Sequence, residues 1–374
     1  MKNTNYINLL KEILSIESKS GDSVGINKVD NILVKKLLKS GFNVKVYKKK
    51  NLPYQYVLKT KIWNNKLDKL LISGHTDTVL GLKEVEISEN KDWIYGPGAN
   101  DMKGGLISLI YAIEKLYKEN KNNIENIIIT LTTDEEKGST SYKKVLKRYY
   151  KMAKFALILE GVGENYELCS RRRGIAILNI KTIGKAGHSG RFSQIYPNAL
   201  VELSYQVLKI VSLSNKNLGL TINLGKMNGG MAVNTVAEYA EATLDIRFKE
   251  QSQFKEVERK IYKLIKNKKQ KLSKVKIEIE NIFPAMIENK NTIIFKQIIK
   301  DAFTNLNKSP KFLNRESASD GNILSSLGVG SIDGLGTFGY DIHTNKERVL
   351  KESIYTSGEN IIAILRSFFN YNNL

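Results

Sequence analysis

Three apolar runs of strand length, residues 69–73, 127–133 and 155–159, are each followed at once by polar, chemistry-bearing residues. A strong helical pattern at 104–119 separates the first two runs. Strands that alternate with helices predict an α/β fold, a mixed but mostly parallel sheet flanked by helices. In such sheets ligands sit beyond the carboxyl ends of the strands. His75 follows the first run, Asp134, Glu135 and Glu136 the second, and Glu160 the third. Three polar motifs are thus expected on one edge of one sheet. Helical spacing at 5–17 and at 24–40, the latter ending at Gly41, precedes the first run.

The texture changes near Arg171. Residues 174–183 read as a strand, 197–213 as an amphipathic helix opening at Pro197, and 220–226 as a strand. Residues 235–248 alternate strictly: Val236, Ala240, Ala242, Leu244, Ile246 and Phe248 on one side, and Tyr239, Glu241, Thr243, Asp245 and Arg247 on the other. That alternation predicts a half-buried antiparallel strand. A helix at 253–272 and a strand at 274–280 follow. The β-α-β-β-α-β order predicts a ferredoxin-like α+β domain of about 110 residues. The expected boundaries are 1–172 with 282–374 for the main domain and 173–281 for the insertion.

A length of 374 residues fits two domains, and a 41% hydrophobic content with mean hydropathy of −0.30 fits globular packing. No apolar run approaches the ~18 residues of a membrane-spanning helix. Met1-Lys2-Asn3-Thr4 leads into an amphipathic stretch without a signal-peptide core, and the single Cys169 excludes an internal disulfide framework. A cytoplasmic enzyme is expected. The net charge of +21 comes mostly from lysines scattered over exposed helix faces, in a chain rich in Asn and Ile. The densest basic run, 266–276, has no interleaved aromatics and matches no nucleic-acid module. Neither a nucleic acid nor a membrane is expected as partner.

Only three histidines occur, and each lies in a cluster suited to metal-assisted hydrolysis: His75 in S-G-H-T-D-T-V, His188 in G-K-A-G-H-S-G and His343 in G-Y-D-I-H-T-N. Between the outer two lie G-P-G-A-N-D-M-K-G-G, with Asp101, and T-T-D-E-E-K-G-S, with Glu135 and Glu136. Zinc takes imidazole nitrogen and carboxylate oxygen, and a two-metal site needs a bridging group plus further ligands on each metal. His75, Asp101, Glu136, Glu160 and His343 supply that set when Asp101 bridges. Asp77 is placed to accept the second imidazole N–H of His75 and fix its tautomer. Glu135 is then free to serve as general base. The glycines around Asp101 lack the G-x-x-x-x-G-K-[ST] arrangement of a phosphate cradle. A lone H-x-D or a Glu pair occurs by chance; the order, the spacing and the placement at strand ends carry the reading.

On these motifs the chain resembles the co-catalytic zinc metallopeptidases of the glutamate carboxypeptidase, aminoacylase and dipeptidase superfamily. S-A-S-D-G-N at 317–322 and G-L-G at 334–336 are similar to the glutamate carboxypeptidase branch. The resemblance implies two Zn²⁺ per subunit, with Co²⁺ or Mn²⁺ as substitutes. His75 and Glu160 would hold one metal, Glu136 and His343 the other, with Asp101 bridging and Glu135 as base. Glu160-Gly161-Val162 lacks the proline that often follows this ligand in the family. The insertion matches the family's lid and dimerisation domain, which implies a homodimer. In it, His188 corresponds to an oxyanion donor supplied by the partner subunit, and Asn234 and Arg247 to residues that hold the substrate's carboxylate. The expected activity is carboxypeptidase-like hydrolysis of an amide bond next to a free carboxylate, in small peptides or N-acyl amino acids. A biosynthetic N-acyl-amino-acid deacylase is the alternative. A remote one is an inactive nucleic-acid-binding or interaction protein, against which the intact Glu135 counts.

Overall fold

The computed structural model describes residues 4–121 and 124–373. It divides into two compact units: one comprising Met1–Arg171, Glu288–Arg315 and Ser319–Leu374, the other Arg172–Ile287 with Glu316–Ala318.

In the first unit, the described residues form a six-stranded sheet. Its spatial order is Phe42–Tyr47, Gln55–Thr60, Ile127–Thr132, Leu70–His75, Phe155–Ile158 and Gly330–Ile332. The last four strands run parallel to one another; the first two are antiparallel additions at one edge. The sequence reading does not anticipate those two, because Phe42–Tyr47 alternates polar with apolar residues and has exposed edge positions. The inner strands are buried on both faces, as a sheet sandwiched between helix layers must be. Their period-two geometry splits the side chains between two cores. Leu70, Ile72, Ile127, Ile129, Phe155 and Leu157 face one core, with residues of the helices Gly104–Glu119, Lys290–Thr304 and Lys351–Asn372. Leu71, Ile128, Ala156 and Ile158 face the other, with Leu146 and Leu324 from the helices Lys143–Tyr150 and Asp320–Ser326.

Two glycine motifs bring the helix Gly104–Glu119 and the segment before Thr337 close to the end of the strand Phe155–Ile158. A Cβ on Gly105 would lie 2.4 Å from the Leu159 carbonyl oxygen, and one on Gly336 would lie 2.2 Å from it. Only glycine permits that approach.

The second unit is a four-stranded antiparallel sheet in the order Thr221–Gly229, Tyr239–Phe248, Gly174–Ile183 and Lys274–Phe283. Its chain order, with the helices Ala199–Val211 and Gln251–Leu264, is β-α-β-β-α-β. Ala240, Ala242, Leu244, Ile246 and Phe248 are buried against Leu203, Val207, Phe254 and Val257 of the two helices, so one sheet face carries both. Three expectations shift. The unit extends to Ile287, because Arg172 and Met286 exchange both backbone hydrogen bonds and Ala285 packs in this core. The expected strand 235–248 is broken: Thr235–Val236 pairs instead with Gly187–His188. The expected helix 253–272 ends at Leu264, before the lysine-rich run that offers little to bury. Cys169 lies buried in the strand Leu168–Arg172. Among the described residues no helix is long and apolar enough to cross a membrane.

Candidate active site

His75 is the last residue of the strand Leu70–His75 and is buried. Its Nε2 lies 3.1 Å from Asp101 Oδ1 and 3.8 Å from Glu160 Oε1. Asp101 stands in the segment Ala99–Lys103, just before the helix Gly104–Glu119. Its other oxygen, Oδ2, is 3.0 Å from His343 Nε2, which in turn lies 3.4 Å from Glu136 Oε1. One carboxylate therefore spans two imidazoles, with Glu160 beyond one and Glu136 beyond the other. Glu135 and Glu136 follow the strand Ile127–Thr132 in a single 3₁₀ turn. Ligand atoms of His75, Asp101 and Glu136 fall within 4.8 Å of one another, and so do those of His75, Glu135 and Glu160. The two glutamates thus reach into the cluster from adjacent positions, Glu135 toward the Glu160 side.

The role expected of the Asp77 carboxylate falls chiefly to its backbone. His75 Nδ1 is 2.9 Å from the Asp77 carbonyl oxygen and 3.5 Å from Oδ1. The carboxylate is engaged elsewhere: Oδ1 accepts the Glu135 N–H at 3.1 Å and Oδ2 the Ser20 hydroxyl at 2.6 Å. Asp77 therefore orients the His75 ring and anchors the turn that carries Glu135. In place of the missing proline, the Glu160 loop is held by hydrogen bonds. The Gly336 N–H donates to the Glu160 carbonyl at 2.9 Å, and Arg315 Nη1 donates to that of Gly161 at 2.6 Å.

The charges in this cluster perturb one another. Burial works to raise Asp101, yet hydrogen bonds from His343 and His75 hold it well below the usual carboxylate range. Burial works to lower His75, but Asp101, Asp77 and Glu160 carry it well above an ordinary imidazole. A hydrogen bond to Asp101, with the Glu136 carboxylate close by, pushes His343 up to about 10. Burial pushes Glu135 well above the carboxylate range; His75 opposes this, and Glu160, Asp320 and Glu136 add to it. Metal ions suit this arrangement, since cations would take the place of the protons that the imidazoles otherwise carry. The donor set agrees: two imidazoles, several carboxylates, and one buried oxygen, Glu136 Oε1, with no hydrogen bond.

The remaining residues singled out in the sequence lie in the second unit. The backbones of His188 and Asn234 are brought together: His188 pairs with Thr235, and the Ser189 N–H donates to the Asn234 carbonyl at 2.9 Å. His188 is exposed, and its Nδ1 accepts the Gly190 N–H at 3.2 Å, which leaves the ring proton of the neutral imidazole on Nε2 as a free donor. Arg247 is engaged by Asp245 through Nε at 3.0 Å and Nη2 at 3.3 Å, and donates from Nη1 to the Glu316 carbonyl at 3.1 Å.

Sequence reasoning misses two buried carboxylates. Asp320 accepts hydroxyls of Ser139 at 2.5 Å, Thr132 at 2.8 Å and Ser73 at 3.2 Å. Glu347 accepts three backbone N–H groups around Asp101. The S-A-S-D-G-N motif marks the first; no local pattern marks the second.

Residues 71–367 match the model of peptidase family M20/M25/M40. The chain belongs to this family. It is 26% identical over 348 residues to carboxypeptidase G2 of Pseudomonas sp. (strain RS-16), covering 91% of this chain and 83% of that protein. It is 27% identical over 329 residues to a succinyl-diaminopimelate desuccinylase of Pelagibacter ubique, covering 80% and 83%. Aminopeptidase PepT from Bacillus cereus shares the fold at a TM-score of 0.84 with 20% identity, over 99% of both chains. The Bacillus subtilis YXEP protein, described as a dinuclear metal-binding peptidase of family M20, superposes at a TM-score of 0.69 with 12% identity, over 99% of both. This M20 protein is a hydrolase of amide bonds, carboxypeptidase-like or N-acyl-amino-acid hydrolase in kind, and its cluster is suited to two metal ions.

Proposed function

We propose that this protein is a zinc-dependent exopeptidase that hydrolyses the amide bond next to a free carboxylate, in small peptides or N-acyl amino acids. The observation that carries this reading is the Asp101 carboxylate, whose two oxygens face His75 and His343. His75 and Glu160 would hold one zinc ion, His343 and Glu136 the other, with Asp101 shared. Ions held there would supply Lewis acidity at the scissile carbonyl and a water acidified toward neutrality. Glu135, buried and raised, is suited to take the proton of the attacking water on its carboxylate and to return it to the leaving amine. Asp77 keeps Glu135 in place through the Glu135 N–H. His188 Nε2 would donate to the oxyanion. Asn234 and Arg247 would bind the substrate's carboxylate, which would exchange with Asp245 on the guanidinium fork.

The second unit would serve as a homodimer interface, and its exposed Met231 and Val233 support this. A single buried Cys169 fits a cytoplasmic setting. The desuccinylase relative favours a second reading, an N-acyl-amino-acid deacylase.

A panel of dipeptides, acyl-glutamates and other acyl-amino acids, assayed with Zn²⁺, Co²⁺ or Mn²⁺, separates the two. Glu135→Gln should lose on the order of 10²–10⁴ in rate while retaining both metals. No turnover across the panel, or near-normal kcat in Glu135→Gln, would contradict the proposal.

A further inference from the structure

Asp101 is held by a backbone that makes little regular structure of its own. Gly98 has a positive φ of 75°, and Asp101 and Met102 leave helical geometry. Of the amides here, Ala99 N–H reaches the Gly96 carbonyl and Lys103 N–H that of Gly98. Those of Gly98, Asn100 and Asp101 converge on one side chain. Glu347 Oε2 accepts Gly98 N–H, and Oε1 accepts those of Asn100 and Asp101, each at 3.0 Å. A buried carboxylate is costly unless its oxygens are satisfied, and three N–H donors satisfy this one. Lys103, buried and without a hydrogen bond on its ammonium, adds a compensating charge that acts on Glu347 and Glu17.

Glu347 is also tied to the other side of the cluster. It stands four residues after His343, and its N–H donates to the Thr344 carbonyl at 3.3 Å, closing the turn that directly follows the Asp341–Thr344 turn in which His343 sits. Its own carbonyl accepts the Gly96 N–H at 3.2 Å. The adjoining strand Arg348–Leu350 pairs with Trp93–Tyr95, which leads into the Asp101 segment. One residue thus joins the two segments that bring Asp101 Oδ2 to 3.0 Å from His343 Nε2.

We infer that Glu347 is a positioning residue for the dinuclear centre, one that fixes the backbone of the bridging Asp101 against the His343 turn and thereby sets how tightly the metals are held. The inference rests on the reading of Asp101 as the bridge. Replacing outer partners of metal ligands typically weakens metal binding by about 10–100-fold. Glu347→Gln keeps the shape but presents an amide NH₂ where an N–H must be accepted, so at least one of the three bonds is lost. Metal-free wild type and Glu347→Gln are titrated with Co²⁺ against a competing chelator, and the visible absorption of the cobalt forms is recorded. The expected result is two sites in wild type, an affinity loss of about 10–100-fold in the variant, chiefly for the metal on the His343 side, and an altered cobalt spectrum.

Glu347→Asp, which keeps the charge on a shorter arm, should fall between the two and takes the place of Glu347→Gln if that variant does not fold. Val349→Ala, a buried change two residues away, is the control for loss of stability alone and should leave the cobalt spectrum and affinity unchanged. Wild-type affinity and spectrum in Glu347→Gln would overturn the inference, as would an equal affinity loss in Val349→Ala. A wild type that binds fewer than two metals would instead overturn the bridging reading and this inference with it.

Discussion

In the metal-free protein His75 is held well above the ordinary imidazole range, and His343 is held at about 10. Both rings are therefore protonated near neutrality, and each must give up a proton before its Nε2 can bind a metal. A raised folded-state value stabilises the metal-free fold fully below the unfolded value of about 6.5, and that contribution fades as pH climbs through the folded value. Asp101, held low, contributes in the opposite sense: its share is present above about 3.8 and is lost as pH falls through its folded value. Metal affinity should consequently rise with pH through neutrality, with a slope approaching +1 for each protonated ligand. At pH 7.0 an unperturbed imidazole near 6.5 is only ~25% protonated, so two of them would release ~0.5 proton. The perturbed pair should release ~2. Glu135, also raised by burial, should add to that as it ionises beside bound cations, and an acidified water adds up to about half a proton more. Calorimetric titration of metal-free protein with Zn²⁺ in two buffers of different ionisation enthalpy reads this number directly. His343→Ala should remove about one proton from it. Release of fewer than about one proton by wild type would refute the argument that the carboxylate cluster keeps both imidazoles charged.

Arg247→Ala should raise KM by roughly 10–100-fold, with a much smaller effect on substrates whose terminal carboxylate is amidated. Equal discrimination between acid and amide in wild type and variant would assign Arg247 to its Asp245 and Glu316 contacts alone. His188→Ala should lose about 10²–10³ in kcat at full metal content. When it is mixed with Glu135→Gln under conditions that exchange subunits, activity should partly return, because one site per heterodimer then has both groups. No recovery with heterodimers shown to form would rule out action across the interface.

Much of the architecture is local information. Apolar runs of strand length and helical spacing define which segments become the inner strands and the long helices, because burial on both faces leaves a continuous apolar imprint. The residues at the ends of those runs, His75, Glu135, Glu136 and Glu160, were legible because a parallel sheet delivers the ends of its strands to one edge. Glycines at 105 and 336 could be seen, but not that both crowd the Leu159 carbonyl. The edge strand Phe42–Tyr47 left a weaker imprint, since its placement comes from pairing rather than from two-sided burial; Gln55–Thr60 is buried, but Gln55, Lys59 and Thr60 interrupt its apolar run. Strict alternation over 235–248 did not reveal that Thr235–Val236 pairs with Gly187–His188, because side-chain period says nothing about which backbone is the partner.

The chemistry divides along the same line. Residue types and order by themselves determined the inventory of candidate ligands and the class of reaction to look for. Only the tertiary structure decided how that inventory is oriented. It turned the two oxygens of Asp101 toward different imidazoles, gave His75 Nδ1 the Asp77 carbonyl ahead of its carboxylate, and closed the Asp245 fork on Arg247. It also recruited Glu347 to amides 246 to 249 positions earlier in the chain. A backbone N–H is the same group at every residue, so its partner is chosen by which segments the packed fold brings together, and no local pattern records that choice.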